Sequence, residues 1–110
     1  ETDKIINAAR IALMKPDAYI INSSRGELID EDALIGALES GRIAGAGLDV
    51  YTHEPAVDSR FFSIPNVVLL PHLGSATFEG REASGERVIA NIRMWADGHR
   101  PHDQVLEGWN

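Results

Sequence analysis

The chain has 110 residues, a formal charge of -7 and no cysteine. Disulfides and thiolate metal sites are excluded, and so acidic a chain lacks the basic face by which proteins hold nucleic acid, although single basic residues remain available to small anions. Its composition, 44% hydrophobic and 25% charged, is that of an ordinary globular domain, and no apolar run approaches the roughly 20 residues of a membrane-spanning helix. Neither nucleic acid nor membrane is expected as a partner. With no signal-like segment at Glu1, the cytoplasm is the default setting.

In "TDKIINAARIALMKPDA" the apolar residues Ile5, Ile6, Ala9, Ala12 and Leu13 recur at helical spacing, and Lys15-Pro16-Asp17 ends the segment. "AYIIN", Ala18 to Asn22, predicts a buried strand. Asp30 is suited to cap a second helix with Ala33, Leu34, Ala37 and Leu38 inward, and Gly41 to stop it. "IAGAGLDV" predicts a second strand whose glycines let another backbone come close. An irregular connection follows from Tyr51 to Asn66, then a third strand, "VVLL", and a long amphipathic helix from Thr77 to Asp97 with Val88, Ile92 and Trp95 at helical intervals. There is no internal repeat. Strands separated by helices in this rhythm predict an α/β fold with a parallel sheet joined by right-handed crossovers.

Ligands of such sheets collect beyond the carboxyl ends of the strands. Ser23, Ser24 and Arg25 follow the first strand, Asp49 and Glu54 the second, and His72 the third. Arg25 is suited to grip a small carboxylate with paired hydrogen bonds, or else turns outward to pair with Glu27 or Asp30. Glu54 stands before Pro55, which favours an extended backbone at the glutamate; alone it reads equally as a solvated loop carboxylate, and His53 beside it as a surface residue. His72, in "LPHLGS", is either a core imidazole satisfied by a carbonyl or a functional one. Asp49 either accepts from a cofactor amide or simply ends its strand.

Taken together, the arginine, the carboxylate and the imidazole describe a definite chemistry. Hydride reduction of a 2-keto acid leaves negative charge developing on the carbonyl oxygen, and an imidazolium can donate its proton there. A carboxylate beside the ring favours that protonated form. In this scheme Glu54 orients His72, and Arg25 binds the substrate carboxylate and polarises the carbonyl.

"NSSRGELIDEDAL", "GRIAGAGLDVYTHEP" and "PNVVLLPHLGS" closely resemble, in order and spacing, three signatures of the D-isomer-specific 2-hydroxyacid dehydrogenases. The likeness runs from Ile5 to Asp97, and the "SIPNVVLLPHLGSATFEGREA" stretch looks most like the glyoxylate and hydroxypyruvate reductase branch. The resemblance implies a partial Rossmann-like, doubly wound parallel sheet with a long C-terminal helix, a cofactor that is NAD or NADP, and a small 2-keto or 2-hydroxy acid substrate. It makes Arg25 the substrate-binding arginine, Glu54 the histidine-orienting glutamate and His72 the proton donor. It also places Ser23, Ser24 and the Arg25 backbone along the nicotinamide, Asp49 on its carboxamide, and the main chain around His72 and Gly74 against the cofactor.

The G-x-G-x-x-G turn of complete family members is missing: the one G-x-G, Gly45 to Gly47, precedes Leu48 and Asp49 rather than a helix. Residues 1–98 therefore read as the C-terminal half of a dinucleotide-binding domain with its trailing helix, and residues 99–110 as an irregular tail. The chain alone is expected to reduce little or no substrate. Bare strand edges and apolar faces lead us to expect a homo-oligomer, which a concentration-independent monomer in sedimentation would contradict. A non-catalytic relative that senses nicotinamide or binds protein, as corepressors resembling this family do, is the alternative. A metal site at His99 and His102 is disfavoured by the intervening Arg100 and Pro101, so no metal is expected.

Overall fold

A computed structural model describes residues 2–106. The chain divides into two units, Glu1–Gly74 and Ser75–Asn110. The first is built on three parallel strands, β1 (Tyr19–Asn22), β2 (Gly45–Leu48) and β3 (Val67–Leu69), in the order β1-β2-β3. Ile20 lies opposite Ala46, and Ala46 opposite Val67, so one row of the sheet continues across all three. That row, with Leu48, packs on α1 (Ala8–Ala12) and α2 (Glu31–Glu39) through Ile11, Leu34, Ile35 and Leu38.

Helix α2 starts and stops where the sequence predicts. The Asp30 side chain accepts a hydrogen bond from Ala33 N. At the other end Gly41 has φ +67, a left-handed conformation that costs glycine nothing, and Gly41 N and Arg42 N return to Leu38 O and Ala37 O. The first helix is much shorter than its spacing predicts. Ile5 and Ile6 lie outside it, because Ile6 instead forms a parallel bridge with Ile29. Its inward residue is Ile11, while Leu13 is exposed.

The strand "AYIIN" is buried on one face only. Ile20 and Asn22 point inward, whereas Tyr19 and Ile21 are exposed, as is Val68 on β3. Between them β2 presents Gly45 and Gly47; a Cβ at Gly45 would lie 2.6 Å from Asn66 O, so β3 enters the sheet closer than any side chain permits. The connection from β2 to β3 is less irregular than expected. It contains a 3-10 helix, Ser59–Ser63, capped by Asp58, and its Phe61 is among the most deeply buried side chains.

The second unit is α3 (Phe78–Ala96), capped by Thr77, whose hydroxyl accepts from Gly80 N. It spans the residues the sequence assigns to a helix, yet none of them is buried, and Val88, Ile92 and Trp95 are all exposed. The tail folds back on it: Asp103 accepts from Asn91 Nδ2 and pairs with Arg87 at 3.2 Å. Of the tail expected at residues 99–110, positions 107–110 lie outside the described residues. No described helix is long and apolar enough to cross a membrane.

Candidate active site

The C-terminal ends of the three strands carry the candidate residues, held by hydrogen bonds within and between the turns that follow them. After β1, the buried Asn22 closes the turn: its Oδ1 accepts from Ser24 N at 3.1 Å and its Nδ2 donates to Arg25 O at 2.9 Å. Ser23, Ser24 and Arg25 are thereby held exposed at the strand end. The Arg25 guanidinium donates to Ser24 O at 2.7 Å, and among the described residues it pairs with no carboxylate. Neither Glu27 nor Asp30 holds it; Asp30 pairs with Lys4.

After β2, Asp49 is buried, and its two oxygens accept from Leu73 N and Gly74 N, each at 2.7 Å. These bonds tie the end of β2 to the turn that follows β3. His72 lies in that turn with φ +56, an uncommon conformation for a residue with a Cβ. Asp49 thus clamps the backbone on one side of His72, a role the sequence did not suggest. The clamp leaves Gly74 close to it, at 3.2 Å from Asp49 Oδ2 for an added Cβ.

Glu54 joins the other two strand ends. One carboxylate oxygen accepts from Tyr51 N at 3.0 Å, and the other lies 2.8 Å from His72 Nδ1. The side chains remain 36% and 46% exposed, so the pair is open to a ligand. The His72 hydrogen bond is the main reason the Glu54 carboxyl is held below the usual carboxylate range, with the Tyr51 N–H next and the Arg25 charge adding a smaller part. Tyr51 is itself anchored, its hydroxyl 2.9 Å from Leu70 O and 3.1 Å from Leu48 O, and burial pushes the phenol up. A cavity of about 150 Å³ opens beside the pair, lined by Tyr51, Pro55, Val57 and Pro71. The Glu54–Pro55 peptide is cis.

The structure therefore unites Glu54 with His72, as the sequence predicts, and leaves Arg25 on its own turn with its charge felt at Glu54. Sequence reasoning missed Asn22, Gly26, Glu31 and Tyr51. Gly26 is buried, and a Cβ there would lie 2.0 Å from the Tyr51 carbonyl carbon, so the position admits no side chain. Glu31 accepts from Thr52 N at 2.8 Å. Only Asn22 left a readable signal, a buried-looking Asn followed by two serines at a strand end, the composition of a side-chain-closed turn. His53 is exposed, as expected.

Residues 1–74 match the family described as D-isomer specific 2-hydroxyacid dehydrogenase, NAD binding domain. The glyoxylate reductase of Pyrococcus furiosus is 52% identical over 101 residues, which cover 92% of this chain and 30% of that protein. The glyoxylate/hydroxypyruvate reductase B of Klebsiella pneumoniae is 55% identical over 93 residues, 84% of this chain and 29% of that one. Among solved structures, the NADPH-dependent glyoxylate/hydroxypyruvate reductase of Sinorhizobium meliloti in complex with citrate superposes with a TM-score of 0.91 at 41% identity, covering 96% of this chain and 34% of that one. The chain thus spans about a third of the length of the relatives it matches. With three parallel strands, the candidate residues at their carboxyl ends and a family match over two thirds of its length, the chain belongs to the D-isomer specific 2-hydroxyacid dehydrogenases, as part of their NAD binding domain.

Proposed function

We propose that this chain contributes the proton donor, its orienting carboxylate and the substrate-binding arginine to a reductase of small 2-keto acids such as glyoxylate or hydroxypyruvate. The observation that carries this is the 2.8 Å contact between Glu54 and His72 Nδ1. It commits Nδ1 to the carboxylate and turns the other ring nitrogen, Nε2, to the task of donating a proton. Arg25, free of carboxylate partners among the described residues, binds the carboxylate of the keto acid through its guanidinium fork. As negative charge grows on the carbonyl oxygen, His72 gives it the Nε2 proton, and Glu54 offsets the charge of the imidazolium beforehand.

NAD or NADP, when bound, supplies the hydride. The residues present suit its nicotinamide end: Ser23 and Ser24 offer exposed hydroxyls, and Asp49 keeps lone pairs on both oxygens after taking one backbone N–H each. Together with the main chain at Gly74, these are the groups we assign to the cofactor. Residues 1–98 are in this reading the C-terminal half of the dinucleotide-binding domain. A cytoplasmic setting, where reduced nicotinamide is drawn from the cell's pool, and a homo-oligomeric state belong to the same proposal.

The test is a chimera in which this chain replaces the matching segment of the Pyrococcus furiosus glyoxylate reductase. The chimera should reduce glyoxylate, and His72→Asn in it should lower kcat by about 10²- to 10⁴-fold, the usual worth of a general acid. A His72→Asn chimera as fast as its parent would exclude the proton-donor role.

A further inference from the structure

Glu31 is the first residue of α2, where an acidic side chain ordinarily faces water and the helix dipole. Here it reaches across 21 positions of sequence instead, and its Oε1 accepts from Thr52 N at 2.8 Å. The helix does not need it as a cap, since Asp30 already fills that role. The next residue, Asp32, is taken by Arg60.

What Glu31 holds is the turn that carries Glu54. The peptide joining Tyr51 to Thr52 is pressed against Gly26, where a Cβ would lie 2.2 Å from Tyr51 O and 2.3 Å from Thr52 N. Glu54 reaches back over that peptide to Tyr51 N, and its second oxygen goes to His72. If the peptide rotates, the chain from Thr52 to Glu54 is redirected, and the carboxylate is carried away from Tyr51 N, one of its two fixed points. Gly26 blocks rotation by contact alone; the bond from Thr52 N to Glu31 holds the peptide by a directional interaction. Around the turn, His72 and Arg25 lie at Glu54 and Asp49 and Glu31 near Tyr51, while Lys4, Asp30, Asp32, His53, Asp58 and Arg60 line the cavity that Glu31 and Thr52 share.

We infer that Glu31 is a positioning residue for the proton-donor pair: through Thr52 N it fixes the Tyr51 to Glu54 turn so that the Glu54 carboxylate meets His72 Nδ1. Its functional meaning rests on the proposed roles of Glu54 and His72, whereas the contact itself does not.

The experiment reads the geometry without substrate. The Glu54 side-chain carboxyl is titrated by carbon-13 NMR in the 110-residue chain, and amide exchange is followed at Tyr51 and Thr52, in wild type, Glu31→Gln and Glu31→Ala. Wild-type Glu54 should titrate below its ordinary value of 4.5, and Glu31→Gln, which keeps an acceptor oxygen, should match it. Glu31→Ala should move the Glu54 midpoint up toward that ordinary value and speed Thr52 exchange about tenfold or more, the worth of one hydrogen bond to a charged group. A folded Glu31→Ala chain with both readouts unchanged would overturn the inference. Should that variant not fold, the wild-type chain decides: a slowly exchanging Thr52 amide supports the bond, and one as fast as an exposed amide refutes it. A chimera without glyoxylate reduction alongside a Glu54 that still responds to Glu31→Ala would sink the proposed function and leave the positioning role standing.

Discussion

The same chemical change, glycine to alanine, should act in opposite directions at Gly26 and Gly36. At Gly26 the new methyl would lie 2.0 Å from the Tyr51 carbonyl carbon, 2.2 Å from its oxygen and 2.3 Å from Thr52 N. All three are backbone atoms that no rotamer change can move aside, so the turns carrying Arg25 and Glu54 must part by roughly an ångström or more to reach van der Waals contact. Overpacking of this kind costs about 1–3 kcal/mol. Gly36, by contrast, sits within α2 with nothing within 4 Å of an added Cβ, so alanine there removes backbone freedom from the unfolded chain without a clash. That should add about 0.5–1 kcal/mol. Urea denaturation of both variants beside wild type measures the two effects, and thermal melts should shift Tm by roughly 4–8 °C per kcal/mol in a domain this small. In the chimera, a displacement of that size at Gly26→Ala should also cost on the order of 10²-fold in turnover. A Gly26→Ala chain as stable as wild type would show that the two turns are not in contact, and the coupling of Arg25 to Glu54 would go with it.

Two further outcomes follow from the site. Glu54 is held below its ordinary value of 4.5, mainly by His72, so the stability it lends is whole above that value and is lost as pH falls through the lower native one. The stability difference between wild type and Glu54→Gln should therefore shrink on acidification below 4.5, and a difference flat across that window would refute the pairing. Asp49→Asn keeps one acceptor oxygen but turns an amide NH2 toward Leu73 N or Gly74 N, donor against donor. It should destabilise the chain by about 1–3 kcal/mol and speed exchange of one of those two amides, and unaltered exchange at both would show that Asp49 does not clamp the turn.

The contact of Glu54 with His72, and the place of Arg25 at a strand end, were legible because each residue follows a strand, and parallel strands deliver their carboxyl ends to one rim. The same logic revealed the ends of α2, where Asp30 and Gly41 carry their roles in their own chemistry. Other features were not legible because their cause lies in distant partners. Ile5 and Ile6 fit a helical spacing, yet Ile6 is drawn into a bridge with Ile29 that no local pattern announces. The run "AYIIN" looks the same whether one face of its strand is covered or both, so the exposure of Tyr19 and Ile21 could not be read. Phe61 gave no hint that it would anchor a 3-10 helix in the core. Glu31 is a first-turn glutamate whether it meets water or Thr52, and only the fold distinguishes the two.

The left-handed backbone at His72 governs which replacements can interrogate its ring. Valine or isoleucine would force a branched Cβ into a conformation it rarely tolerates, so a dead variant would confound lost proton transfer with a refolded turn. Asparagine accepts such a conformation readily and carries no titratable proton. It is the substitution that tests the proposed proton donor while keeping the backbone conformation of the turn within reach.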